Sequence, residues 1–502
     1  MQPAIIPRNE HDISRKWISA NAVRVLYRLK EQGYYAYLVG GGVRDLLLGR
    51  EPKDFDIATD AKPHEVKKIF RNCRLIGKRF RLAHIHFHEE IIEVATFRSS
   101  APEEIETPDV SSEQSMPISV SEHEEREASV SSGLPRQDTM QITAVEFPIA
   151  PSIAASASVP AKPRPPRMLK TEGGMILRDN VFGTPEEDAL RRDFTVNALF
   201  YAIADFSVID YVGGMQDLRN GLIRTIGDPL VRFTEDPVRM VRAVRFAAML
   251  GFEIEEKTYN AILELRDKVA LASPARMYEE VLKLFLLGEG EKTYQLLRKT
   301  GLFGVIFPRL DEWVDTEGSG FPHVWIGKAL EWVDTYVQTG RKVEPHILFG
   351  LMFGQYIEEK SAGIMKSGSH ALDAMTKAVA EVLSEQAKRV MIPRKVGLPM
   401  RDMYWNQHRF EKREGRHPRY FLRRPGFEDA FEYLRFTSEV TGERQELRFW
   451  WKDFIKTNPV PASEERGGDK EKQIRAEHKT RPMRRRRRSG RRGRQEGPKP
   501  KN

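Results

Sequence analysis

The sequence predicts a mixed α/β head followed by an all-helical neck and body, with two further segments that lack the means to fold alone. Three observations carry this. Short β-like runs alternate with helical stretches up to about Ile226. Apolar residues at helix spacing dominate from Asp236 to about Phe454. Ala101–Arg167 and Ser463–Asn502 show no sustained periodicity and are too polar to offset chain entropy, so both are expected to be disordered.

Taken in order, Ala22–Lys30 reads as an amphipathic helix stopped by Gly33, and Tyr35–Val39 as a short strand breaking at Gly40-Gly41-Gly42. Val43–Leu48 starts a helix, Phe55–Ile57 is strand-like and Pro63–Arg71 helical. Arg81–Phe87 and Ile91–Arg98 read as paired strands. Beyond the insertion, Glu186–Ala204 reads as a helix, and Val208–Tyr211 with Leu222–Ile226 as a hairpin around Gly213-Gly214. At about 150 residues per domain, 502 residues suggest roughly three domains. The expected division is an arm over 1–20, a head over 21–215 containing the insertion 101–167, a helical neck over 216–310 and a helical body over 311–462, both suited to binding a polyanionic strand such as RNA, the neck a nucleotide as well, and an Arg-rich tail over 463–502.

Composition narrows the class. The lone Cys73 excludes an internal disulfide and is expected to be an inert packing residue. The longest apolar stretches, near Ala198–Ala204 and Ile347–Phe353, fall short of the roughly 18 residues of a membrane span. The N-terminus has no signal-peptide core, so a cytoplasmic, membrane-free monomer is expected. The net charge of +9 is concentrated in the tail, where 463–502 hold 16 Lys and Arg against 6 Asp and Glu. A near-neutral body thus carries a cationic arm suited to a polyanion such as RNA, or to acidic proteins.

The chemistry-bearing pattern begins at Lys53-Asp54-Phe55-Asp56. On a strand Asp54 and Asp56 point the same way while Phe55 turns to the core. Two such carboxylates repel unless a cation sits between them, and a sparse oxygen set suits Mg²⁺; a solvated turn is the plain alternative. Upstream, Leu38-Val39-Gly40-Gly41-Gly42-Val43-Arg44-Asp45 runs a strand into glycines and then a helix, which lets backbone N–H groups approach a phosphate. The loop matches neither G-x-x-x-x-G-K-[ST] nor G-x-G-x-x-G, which excludes the P-loop and Rossmann readings.

With R-R-D-F-T-V-N (Arg191–Asn197) and E-D-P-V-R-M-V-R-A-V-R (Glu235–Arg245), these motifs resemble the class II nucleotidyltransferases of the DNA polymerase beta superfamily. That family includes bacterial poly(A) polymerases and CCA-adding tRNA nucleotidyltransferases. The resemblance spans about Asn21–Phe307 outside the insertion. Leu75–His84 resembles the signature of the poly(A) polymerase branch, as does the Arg-rich tail.

The resemblance implies a nucleotidyltransferase head with a polymerase beta-like sheet. It implies template-independent transfer of AMP from ATP to RNA 3′ ends, with two Mg²⁺ ions on Asp54 and Asp56, and tagging of RNAs for decay alongside decay proteins. It makes Asp193 the third carboxylate, with Glu93 a competitor on a strand beside Asp56. Gly40, Gly41, Arg44 and Arg192 would contact the nucleotide, and Asp236, Arg239, Arg242 and Arg245 would line its pocket. Steps of three residues drift around a helix, so Asp236 and Arg239 suit the base and Arg245 a salt bridge. A CCA-adding enzyme and a non-catalytic RNA-binding protein are the alternatives. His84, His86 and His88 at period two could bind Zn²⁺ or Cu²⁺, but a polar sheet face near RNA or solvent is the favoured reading. Trp450-Trp451 fits helix packing or base stacking.

Overall fold

In the computed structural model, residues 2–77, 82–99, 169–170, 176–178, 182–316 and 322–459 are described. The insertion 101–167, the tail 463–502 and the Lys78–Arg81 part of the signature lie outside the described residues, so the expectations placed there concern other residues than those analysed below.

The head is built on one eight-stranded mixed sheet. Its strands are β1 (Ala4–Ile6), β2 (Ala36–Val39), β3 (Asp56–Thr59), β4 (Cys73–Ile76), β5 (Leu82–His86), β6 (Ile91–Thr96), β7 (Leu199–Ala202) and β8 (Val208–Asp210). They lie in the order β1-β8-β7-β2-β3-β6-β5-β4. Every pairing is antiparallel except β3 with β6. The N-terminal segment thus joins the sheet as an edge strand.

Helix α1 (Ala20–Glu31) covers one face. Ser19 caps it by accepting from the Asn21 and Ala22 amides, and Ala22, Val25, Leu26 and Leu29 form its buried stripe. Leu38, Ile57, Ile85, Ile92, Val94 and Tyr201 point into that core. Val39, Ala58 and Phe200 point to the other face, where a small cluster gathers with Phe97, Ala189, Ala198 and Ile226. The main core continues from the head into the helices of the neck and body.

Three local expectations are corrected. The helix read over Glu186–Ala204 ends early: α4 spans Pro185–Arg191, and the chain re-enters the sheet as β7. All four β7 residues are buried, and their backbone groups are taken by β2 and β8. A short apolar run does not distinguish such a strand from a buried helix. The hairpin between Val208–Tyr211 and Leu222–Ile226 does not form. β8 pairs with β7 and β1, while β9 (Leu222–Ile223) pairs in parallel with β10 (Glu253–Ile254). Between β8 and β9 lies α5 (Gly214–Asn220), launched by the Asp210 carboxylate, which accepts from the amides of Val212, Gly213, Gly214 and Met215 at 2.9–3.0 Å. The strand expected from Phe55 begins at Asp56, leaving Asp54 just before it.

The neck comprises α6 (Pro229–Glu235), α7 (Val238–Leu250), α8 (Glu256–Leu265), α9 (Pro274–Phe285), α10 (Gly290–Lys299) and α11 (Leu302–Ile306). The body is helical from α12 (Pro308–Val314), which straddles the boundary, through α13 (Pro322–Gln338), α14 (Pro345–Lys366), α15 (Ala371–Gln386), α16 (Arg394–Trp405), α17 (His417–Leu422), α18 (Phe427–Thr441) and α19 (Gln445–Thr457). Trp451 is fully buried against Phe410, Phe421 and Phe427, a packing role. No helix among the described residues is long and apolar enough to cross a membrane.

Gly214 lies so close to the loop before β7 that a Cβ there would sit 2.3 Å from the Thr195 carbonyl oxygen. Gly214→Ala is expected to lower stability by about 1–3 kcal/mol, read from the urea midpoint.

Candidate active site

Register, not sequence proximity, assembles the site. Val39 pairs with Asp56, Asp56 with Glu93, Glu93 with His84, and His84 with Arg74. Residues in register share a face, so these side chains form a row across β2, β3, β6, β5 and β4. That face is opposite the α1 core, because Ile57, Val94 and Ile85 occupy the other side. Gly40 follows Val39 at the head of this row, with φ +71°, a conformation glycine adopts without strain. A Cβ on Gly40 would lie 3.2 Å from Arg192 Nη1, so the turn also admits that guanidinium. Helix α2 (Gly41–Leu47) starts from this turn and packs Gly42 against the Asp54 carbonyl, 3.3 Å from where a Cβ would sit.

Asp56 is held in its protonated form well above the usual carboxylate range, to about 6. Burial is the main cause, Glu93 and Asp54 push the same way, and Arg192 opposes them. His84 Nε2 lies 3.1 Å from Glu93 Oε1. Asp54 is exposed and precedes the strand. The structure therefore gathers Asp54, Asp56 and Glu93 with one nearby guanidinium. Such a hard oxygen set, short of positive charge, fits a Mg²⁺ ion that completes its shell with water and phosphate. Among the described residues no three or more His, Cys, Asp or Glu side chains form a ready-made metal cage.

Asp193 has a different environment. Its Oδ2 accepts from Arg242 Nε at 2.7 Å and lies 2.5 Å from Arg242 Nη2. Burial alone would raise its pKa; Arg242, Arg239 and the Asn197 amide bring it down to about 2. The geometry thus places Glu93 beside Asp56, and holds Asp193 in a half-buried ion pair between the head loop and α7.

Asn197, which the sequence reading quoted but gave no role, is the hub of this region. Its Oδ1 accepts from Arg44 Nη1 at 2.6 Å, its carbonyl from Arg192 Nη1 at 3.3 Å, and its amide donates to Asp193 Oδ1 at 3.4 Å. Its signal was its place at the end of a motif otherwise explained by charge. Arg44 is 3% exposed, bonded to Asp45 as well as Asn197, and lies over the Phe246 ring. Arg192 is held by Asp188 and lies over Phe200.

The neck residues differ in availability. Both Asp236 oxygens accept from Arg276, at 2.8 and 2.7 Å. Arg239 donates to the Arg232 carbonyl and pairs with Glu235. Arg245 is buried over the Phe246 ring with Glu280 at 3.9 Å, and burial followed by Arg242 pulls it down to about 10. Arg232, which sequence reasoning missed, donates to the Arg191 and Arg192 carbonyls and so bolts α6 to the R-R-D loop. The His84–His86 pair sits on β5 with rings 6.4 Å apart, whereas His88 lies beyond the strand.

Three family patterns match this chain: "Poly A polymerase head domain" over 36–224, "Probable RNA and SrmB- binding site of polymerase A" over 251–314, and "Polymerase A arginine-rich C-terminus" over 367–492. The chain is 42% identical over 458 residues to Poly(A) polymerase I of Salmonella typhimurium, spanning 91% of this chain and 86% of that protein. The chain belongs to the poly(A) polymerase I family. It is a nucleotidyltransferase with a mixed-sheet head and a helical C-terminal body. Poly(A) polymerase I of Escherichia coli O157:H7 is 41% identical over 461 residues, 91% of this chain and 87% of that protein. A CCA-adding enzyme of Bacillus velezensis is 31% identical over 303 residues, 60% of this chain and 59% of that protein. The fold is also that of the Bacillus stearothermophilus CCA-adding enzyme in complex with CTP, at a TM-score of 0.53 and 23% identity over 88% of this chain and 82% of that one.

Two predictions follow from the contrast between carboxylates. Asp193→Ala strands Arg242 in a buried site and should cost about 3 kcal/mol or more by chemical denaturation, whereas Asp54→Ala should stay within about 0.5 kcal/mol. Asp56 ionises near 3.8 when unfolded and about 6 when folded, so its contribution is full below 3.8 and is lost as pH rises through 6. Without divalent ions, Glu93→Gln should therefore raise the unfolding free energy from urea titration at pH 7, by less than about 1 kcal/mol, and leave it nearly unchanged near pH 3.

Proposed function

We propose that this enzyme transfers AMP from ATP to the 3′-hydroxyl of RNA without a template, releasing pyrophosphate. The observation that carries the reading is the crowding of Asp54, Asp56 and Glu93 beside the Gly40 turn and Arg192. The similarity to proteins named Poly(A) polymerase I over 91% of the chain supports the same activity.

In this mechanism the Gly40-Gly41 turn and Arg192 hold the triphosphate, and Arg44 and Asn197 support the turn from behind. Asp54 and Asp56 would hold two Mg²⁺ ions, with Glu93 completing the acidic face in preference to Asp193; the ions supply charge neutralisation at the attacking and leaving oxygens. The 3′ oxygen bonds to the α-phosphorus, the bond to pyrophosphate breaks, and the hydroxyl proton leaves to solvent. Arg239 offers donors to the base edge, while Asp236 is oriented by Arg276. Arg242 and Arg245 shape the pocket through Asp193 and Glu280. The products would be RNAs marked for decay, handed to decay proteins by a monomeric cytoplasmic enzyme.

The test is primer extension with Mg²⁺ on an unstructured RNA and on a tRNA lacking its CCA end, each nucleotide alone and CTP with ATP. Long ladders with ATP on the unstructured RNA are expected. Asp54→Ala and Asp56→Ala should each lower the rate at least a hundredfold with the fold intact. Addition of C, C and A to tRNA followed by a stop would instead assign the chain to CCA synthesis.

A further inference from the structure

A second charged surface lies on the folded body, apart from the row of carboxylates. Between His408 and Arg424 the chain holds seven Lys and Arg residues against two Glu. One of those, Glu411, is engaged by Arg444 at 3.0 Å. The segment is held rigid from beneath. Phe410 and Phe421 are buried with Phe427 and Trp451, and Trp451 Nε1 donates to the Phe410 carbonyl at 2.9 Å. With Phe421 and Pro418 turned inward, Arg419 and Tyr420 of α17 turn outward.

The cations crowd one another. The Nε of Arg409 is buried without a hydrogen-bond partner, as is Nδ1 of His417. Burial, then the neighbouring Arg424, draws the Arg409 guanidinium below its ordinary value, and His408 is lowered by burial and by Arg409, Lys412 and His417 against one backbone hydrogen bond. Like charges held together on an aromatic scaffold are relieved by a polyanion. Tyr420 narrows the choice. The residue is 67% exposed on a helix whose next residue is core, so it presents an open aromatic side chain on the same short helix as Arg419. Exposed rings between phosphate-pairing arginines suit a nucleic-acid strand, whose bases stack and whose phosphates accept the forked donors.

We propose that Arg413, Arg416, Arg419 and Tyr420 form a docking surface for single-stranded RNA upstream of the 3′ end being extended. This rests on the reading that RNA is the substrate. The surface positions the strand and takes no part in chemistry; the aromatic cluster of Phe410, Phe421, Phe427 and Trp451 carries it.

The experiment uses the full chain, tail included, so that the tail's contribution is common to every variant. Fluorescence anisotropy measures binding of a long oligoadenylate across a salt series, and AMP incorporation is measured on that RNA and on a trinucleotide primer. For the triple variant Arg413→Gln, Arg416→Gln, Arg419→Gln the affinity for long RNA should fall about tenfold, and the slope of log affinity against log salt should shrink by about 2. The triple Arg→Lys variant should keep the slope. Tyr420→Ala should weaken binding about fivefold with the slope unchanged. Extension of the trinucleotide should match the wild type throughout. An unchanged slope and affinity in the triple Gln variant would overturn the proposal and leave the surface to an acidic protein. Equal losses on both primers would overturn it too. No incorporation by the wild type on either primer would instead count against the proposed activity.

Discussion

The ion pair between Asp193 and Arg242 joins the head to the neck in the middle of the candidate site. It is largely shielded from solvent, so each charge leans on the other. From Asp193 the order spreads through Asn197, which reaches Arg44 under the glycine turn and Arg192 over the carboxylates. Arg232 adds a second bolt from α6 to the same loop. The nucleotide-side residues of the head and the pocket residues of the neck are thereby one connected polar network rather than two surfaces that happen to face each other.

That network explains why carboxylates of similar sequence appearance have opposite chemistry. Asp193 is matched by guanidinium groups and stays ionised to low pH. Asp56 is half-buried beside two other acids with one arginine to offset them, and so holds its proton to about 6. The first is a matched charge, held by Arg242. The second is an unbalanced one, which is what a site for divalent cations and a polyphosphate requires.

Much of this was legible in the sequence. The Gly40 turn could be read locally, because turns act over a few residues, whereas the shared strand expected for Asp54 and Asp56 holds only Asp56. The α1 stripe and the helical body followed from periodicity. What escaped was set by pairing across the sheet. Glu93 was named as a competitor, but its place beside Asp56 depends on the parallel β3–β6 register, which no local pattern carries. The β7 strand was read as helix because a fully buried strand has no alternation. The hairpin after β8 failed because the Asp210 carboxylate gathers four amides to start a helix, a side-chain effect that Gly213-Gly214 alone does not announce. Asn197 was overlooked because its value lies in three hydrogen-bond partners, one of them Arg44 far along the chain, and not in its charge.

The central claim is that Asp54, Asp56 and Glu93 form one cation-binding face next to the nucleotide. Its most direct test is a Mn²⁺ titration followed by electron paramagnetic resonance, with a non-hydrolysable ATP analogue present. The wild type should take up the ion, and Asp56→Asn should lose that uptake while keeping its thermal stability. Uptake by Asp56→Asn with the wild-type affinity would contradict the account.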